Sequence, residues 1–147
     1  MKKLLFIGAI ISSILTSCVQ QQQQQPQQSK TFLEGVWQVV SWEFISEDTL
    51  RWKLGVNVSG TEMKIWSENY FNFVGQYRVG DTMINNYGGG TYFLEGNLYQ
   101  ENLTYPNLDT VRLLLEIKED TIIQKWPCDE NWQIDKSNYN TQKLTRR

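Results

Sequence analysis

The chain contains no histidine, and that absence removes more chemistry than any other feature of its 147 residues. Without histidine there is no Ser-His-Asp or Cys-His catalysis, no His-ligated zinc and no His-ligated haem. Basic residues are also short: 14 Lys and Arg stand against 16 Asp and Glu, so no basic stripe is available for nucleic acid. There are two cysteines and three prolines. No Gly-rich phosphate loop is present, since Gly88-Gly89-Gly90 is followed by neither a lysine nor a helical pattern, and nothing matches an EF-hand loop. Carboxylates are plentiful, but no spacing singles out a hydrolytic pair. The expectation is a protein that is not an enzyme and needs no cofactor and no metal. Aromatics, by contrast, are abundant at 13% of the chain, which argues against disorder, and the length suits one domain.

The amino terminus is an address. Lys2 and Lys3 precede an apolar run over residues 4–15, which is shorter than the roughly 20 residues of a membrane-spanning helix. Directly behind it, Leu15-Thr16-Ser17-Cys18 resembles a bacterial lipobox. The resemblance implies a signal peptide over residues 1–17, cleavage before Cys18, and acylation of Cys18 as a membrane anchor. Multiple acyl chains hold stably because each buried methylene contributes about 0.8 kcal/mol. If Cys18 carries lipid, Cys128 has no partner within the chain and the fold cannot rely on a disulfide. Residues 18–30 then form the lipidated cysteine and a Gln-rich tether interrupted by Pro26, with no apolar face to bury. Val19 stands where enteric inner-membrane lipoproteins carry Asp, and no acidic cluster follows. The expected location is the cell envelope, on the periplasmic side of the outer membrane.

Residues 31–147 alternate in the manner of strands, with no sustained helical period. Residues 37–44 are dense in β-branched and aromatic side chains. Residues 48–60 suggest a loop or short helix, residues 63–66 and 70–78 two short strands, and residues 81–90, ending in three glycines, a mobile connection. Gly96-Asn97 fits a two-residue hairpin turn that sets Leu94 opposite Tyr99 and Tyr92 opposite Glu101. Alternation then places Tyr92, Leu94, Tyr99, Glu101, Leu103 and Tyr105 on one face. A second hairpin turning at Glu119-Asp120 aligns Ile122, Gln124 and Trp126 with the apolar face of residues 111–117. Residues 139–144 supply a closing strand. So many short strands predict an antiparallel barrel, all-β, up-and-down, of about 8–10 strands.

Gly35-Val36-Trp37 resembles the Gly-x-Trp signature of lipocalins. Gly88-Gly89-Gly90-Thr91-Tyr92, continued by Leu94, Gly96-Asn97, Tyr99 and Glu101, is similar to a family of lipocalin-like lipoproteins of unknown function from Gram-negative gut anaerobes. The resemblance covers roughly residues 32–145, with the strand at Met63-Lys64-Ile65 and the closing strand at Tyr139. It implies a calycin-type barrel and no particular ligand. It also implies that Trp37, introduced by Gly35, packs at the closed end beneath a basic side chain of the last strand, a place Lys143 is positioned to take. The lipocalin disulfides are missing, and so are the second and third signatures.

A small barrel holds packed side chains or one small ligand. Phe73, Tyr77, Tyr92, Tyr99, Glu101, Gln124 and Trp126 are the candidate lining of a pocket for a small hydrophobic or amphipathic molecule. Glu101 is the residue that the bland reading of a filled core does not explain. A carboxylate turned into an apolar barrel opens to water, pairs with a basic group, or signals a slipped register. The alternative function is an interaction module gripping a protein partner through mouth loops. Those loops are residues 45–60 with Trp52, and residues 126–132 with Trp132. A cavity with these tryptophans buried favours a small ligand, and a filled barrel with them exposed favours a protein.

Overall fold

The computed structural model describes residues 32–147; the leader, the lipobox with Cys18, and the tether lie outside them. The described residues form nine strands and no helix. These are β1 (Gly35–Ser46), β2 (Thr49–Lys53), β3 (Val58–Ser67), β4 (Tyr70–Val79), β5 (Thr82–Glu95), β6 (Leu98–Tyr105), β7 (Asp109–Lys118), β8 (Thr121–Trp126) and β9 (Asn138–Arg146). Every neighbouring pair is antiparallel, and β1 also pairs with β9, which closes a barrel. Eight strands make the wall; β2 extends beyond it, pairing only with the far half of β1. The expected all-β up-and-down barrel is therefore the fold.

Short turns explain the meander. Five hairpins close through two-residue turns whose first residue, Glu47, Glu68, Gly80, Gly96 or Glu119, has positive φ. Such turns match the twist of the strands they join. Tyr92 pairs with Glu101 and Leu94 with Tyr99, the register expected from Gly96-Asn97.

Three expectations about the strands need correction. Residues 48–60 contain no helix but β2 and a tight return into β3. The glycines at 88–90 are not a mobile connection but the middle of β5, paired with Phe73, Asn72 and Phe71. Their lack of side chains allows close approach: a Cβ on Gly88 would lie 2.7 Å from the Phe73 ring, and one on Gly90 would lie 2.0 Å from the Asn102 carbonyl oxygen. Tyr105 does not share the inner face. Gly90 pairs with Leu103 and Gly89 with Tyr105, so Thr104 is an extra residue in the ladder. This bulge flips Tyr105 outward to 44% exposure, where its hydroxyl donates to Asn72 Oδ1 at 2.5 Å.

A second bulge falls in β1, between Val39 and Ser41. Val40 is the extra residue and is exposed. Without it, Trp37 and Val39 would be followed inward by Ser41 and Glu43. With it, Trp42 turns inward and Glu43 meets Lys53 outside at 2.7 Å.

The core lies at one end. Trp37, Trp66, Phe71, Tyr99, Ile122 and Leu144 are fully buried there and belong to one cluster. Trp37 Nε1 donates to the Leu33 carbonyl at 2.7 Å, and its ring meets Trp66 edge-on. The cation over Trp37 is Arg146, 4.4 Å from the ring, and not Lys143, which is exposed. Arg146 sits three residues further along the same strand and donates to the carbonyls of Glu34 and Phe32 at 2.7 Å each. It thereby ties the last strand to the segment entering the first. Gly35, at φ 125°, leaves room for it: a Cβ there would lie 2.9 Å from the guanidinium.

Candidate functional site

Above this closed end the barrel is hollow. A cavity of about 340 Å³ opens toward the other rim, within the range of small-molecule sites. Its walls are apolar rings and aliphatic side chains, among them Trp42, Phe73, Tyr77, Leu103, Leu113 and Trp126. Trp52, from β2, joins at the mouth, packed at 5.3 Å against both Trp42 and Phe44. Strand β2 thus covers part of the rim, in contact with the cavity it flanks.

The floor is ionic. Alternation along β3 turns Glu62, Lys64 and Trp66 inward, leaving Met63 and Ile65 outside at 41% exposure each. The Lys64 ammonium forms a buried ion pair and hydrogen bond with the Glu101 carboxylate across the barrel. Four rings surround the same ammonium: Trp66 at 5.1 Å, Phe71 at 5.3 Å, Tyr99 at 5.6 Å and Phe73 at 5.8 Å. Trp66 Nε1 donates to the Tyr99 hydroxyl at 2.7 Å, and Tyr99 in turn hydrogen-bonds Glu101. Burial and the neighbouring Glu101 charge push the Tyr99 phenol well above its ordinary range, so it stays a donor. Of the three alternatives open for Glu101, the structure selects pairing with a basic group. Such a pair offsets its desolvation where further hydrogen bonds support it, and the Tyr99 hydroxyl supplies one to Glu101.

One pleat above Lys64 lies a second buried carboxylate, Glu62, at 3% exposure. Asn86 Nδ2 donates to it at 2.5 Å, the Tyr77 hydroxyl lies 3.4 Å away, and the Gln142 amide also bonds it. Burial raises its pKa above the usual carboxylate range, and these donors together with Lys64 only partly oppose that shift. Gln124 Nε2 donates to Gln142 Oε1 at 2.7 Å, extending the polar chain from β3 through β9 to β8. Gln124 Oε1 is buried and has no hydrogen-bond partner.

Of the residues expected from the sequence, Phe73, Tyr77, Glu101, Gln124 and Trp126 line this cavity together. Tyr92 and Tyr99 do not; they lie beneath it in the closed-end core, with their rings 5.5 Å apart. The Tyr92 hydroxyl donates to the Glu68 carbonyl at the β3–β4 turn. Sequence reasoning missed Glu62, Lys64, Gln142 and Trp42. The alternation of Glu62, Lys64 and Trp66 was a signal for the first two, but apolar Met63 and Ile65 stand between them, so alternation alone leaves the inner face open. Trp132 is half-buried on the β8–β9 loop, and Cys128 on that loop is a free, buried thiol. Burial and Asp129 push that thiol up, away from nucleophilic reactivity.

Among the described residues no three acidic or cysteine side chains converge to hold a metal ion. No protein-family model matches the chain, and no curated protein is similar enough to count as a match.

Proposed function

We propose that this chain is a lipid-anchored envelope protein of lipocalin-like type whose barrel binds one small, partly apolar molecule. The observation that carries this reading is the cavity above the Lys64–Glu101 floor: apolar walls, a polar interior and an open rim in a barrel otherwise filled. Trp52 favours it over a protein-binding module, because its ring packs on Trp42 and Phe44 at the cavity mouth. The closed end supports the lipocalin likeness, since Gly35, Trp37 and a last-strand cation come together there. The lipobox-like Leu15-Thr16-Ser17-Cys18 supports the anchor.

Thermal-shift screening of the full chain against small apolar and amphipathic compounds tests the binding reading. A ligand at a hundred times its Kd adds about 2.7 kcal/mol of stability. Hits are expected to raise the melting temperature of the wild type and not that of Val111→Trp, whose indole fills the cavity. Equal shifts in both proteins, or none in either, would overturn the reading. The anchor is tested separately by radiolabelled palmitate, expected in the wild type and lost in Cys18→Ala.

A further inference from the structure

The cavity wall carries two carboxylates, Glu62 and Glu101, and one cation, Lys64. Lys64 is committed to Glu101 and to the four rings around it. The surplus carboxylate is Glu62. Its direct partners are neutral donors, Asn86, Tyr77 and Gln142, and Lys64 acts on it only through space. An ionised group buried this far is held far better by a counter-charge than by neutral donors alone.

A second observation points the same way. The Glu62 carboxylate requires the NH₂ end of Gln142, which turns Gln142 Oε1 toward Gln124 and takes up the Gln124 NH₂ group. Gln124 Oε1 is thereby left as an acceptor without a donor, on a residue 2% exposed. A buried acceptor left unmade is costly. Gln142 bonds the Glu62 carboxylate on one side and Gln124 Nε2 on the other, so a short amide relay joins the surplus charge to the residue that carries the orphan acceptor. Glu62 lacks a counter-charge and Gln124 Oε1 lacks a donor, and a protonated amine supplies both. Around them stand the rings of Trp42, Tyr77 and Trp126, with faces suited to a cation and bodies suited to an apolar group. The floor already shows this chemistry satisfied internally, with Lys64 in the place of the guest.

Resting on the ligand-cavity reading above, we propose that the ligand is a small apolar molecule bearing a protonated amine. Its ammonium bridges the Glu62 carboxylate and Gln124 Oε1, and its apolar body packs on Trp42, Tyr77 and Trp126. Anionic guests are repelled by Glu62, and neutral ones leave its charge unmatched.

The test is calorimetric titration of the full chain with phenethylamine, tryptamine and hexylamine, each beside the alcohol and the carboxylate of the same skeleton. Amines are expected to bind at least about tenfold more tightly than their alcohols, and carboxylates more weakly still. In Glu62→Gln and in Gln124→Leu the preference for amine over alcohol is expected to shrink. If either variant fails to fold, the ranking of the three charge types on the wild type still decides. Alcohols or carboxylates binding as tightly as amines would overturn the amine assignment and leave the cavity reading standing, as would a preference unchanged in both variants. No binding by any probe would overturn both.

Discussion

The two ends of the barrel are made from the same strands and nearly the same residue types, yet they are finished differently. At the closed end Trp37, Trp66, Phe71 and Tyr99 are fully buried, and their polar atoms are matched within the protein. At the open end Trp42, Trp52, Tyr77 and Trp126 surround empty space, beside a carboxylate without a counter-ion and an amide oxygen without a donor. Buried aromatics do not by themselves distinguish a core from a binding site; the state of the polar groups among them does. Where hydrogen bonding is complete the rings support the fold, and where it is incomplete they line a place for something else.

That contrast predicts an order of mutational effects. The largest belong to the closed end and its ionic lid. Trp37→Ala empties a fully buried site and is expected to cost about 3–5 kcal/mol in denaturant unfolding. Glu101→Gln leaves the Lys64 ammonium buried without its counter-ion, again costing about 3–5 kcal/mol, whereas replacing both partners by apolar residues recovers most of that loss. A Glu101→Gln protein that melted with the wild type would erase the distinction between the two carboxylates. Next comes the wall between the regions. Gly88→Val drives a side chain into the Phe73 ring and is expected to cost about 1–3 kcal/mol, read from the same unfolding curves.

Glu62→Gln is expected to move stability the other way. Burial raises the folded-state value of Glu62 above its ordinary 4.5, so the folded protein holds the proton more tightly than the unfolded chain. Stability is therefore lost as pH rises from about 4.5 through the raised value, and the glutamine variant avoids that loss. At neutral pH Glu62→Gln should melt at or above the wild type, with the gap closing as pH falls toward 4.5. A drop in melting temperature at neutral pH would mean that Glu62 is structural, like Glu101. The smallest effect is reserved for Lys143→Ala, within about 0.5 kcal/mol, because the exposed Lys143 is not the cation that covers Trp37.

The sequence made the barrel legible because its turns are local: Gly96-Asn97 and Glu119-Asp120 set the register of the strands beside them. It also marked Glu101 as a carboxylate in need of a partner. What it hid depended on contacts between distant strands. Gly88-Gly89-Gly90 looked like a linker because glycine is a poor strand former, and only the Phe73 ring across the ladder explains the gap it leaves. Tyr105 and Trp42 changed faces through bulges, each a one-residue insertion that alternation alone does not register. Lys64 was concealed by apolar Met63 and Ile65 on the outer face. Arg146 displaced Lys143 because the end of β9 reaches the segment before β1, a closure visible only in three dimensions.

The central claim is that the open end is a chamber for a guest. The most direct measurement is native mass spectrometry of the full chain purified from the cells that make it, beside Val111→Trp prepared identically. The wild type is expected to carry a single small-molecule adduct that Val111→Trp lacks while retaining its fold. An adduct absent from the wild type, or equally present in both, would contradict the chamber.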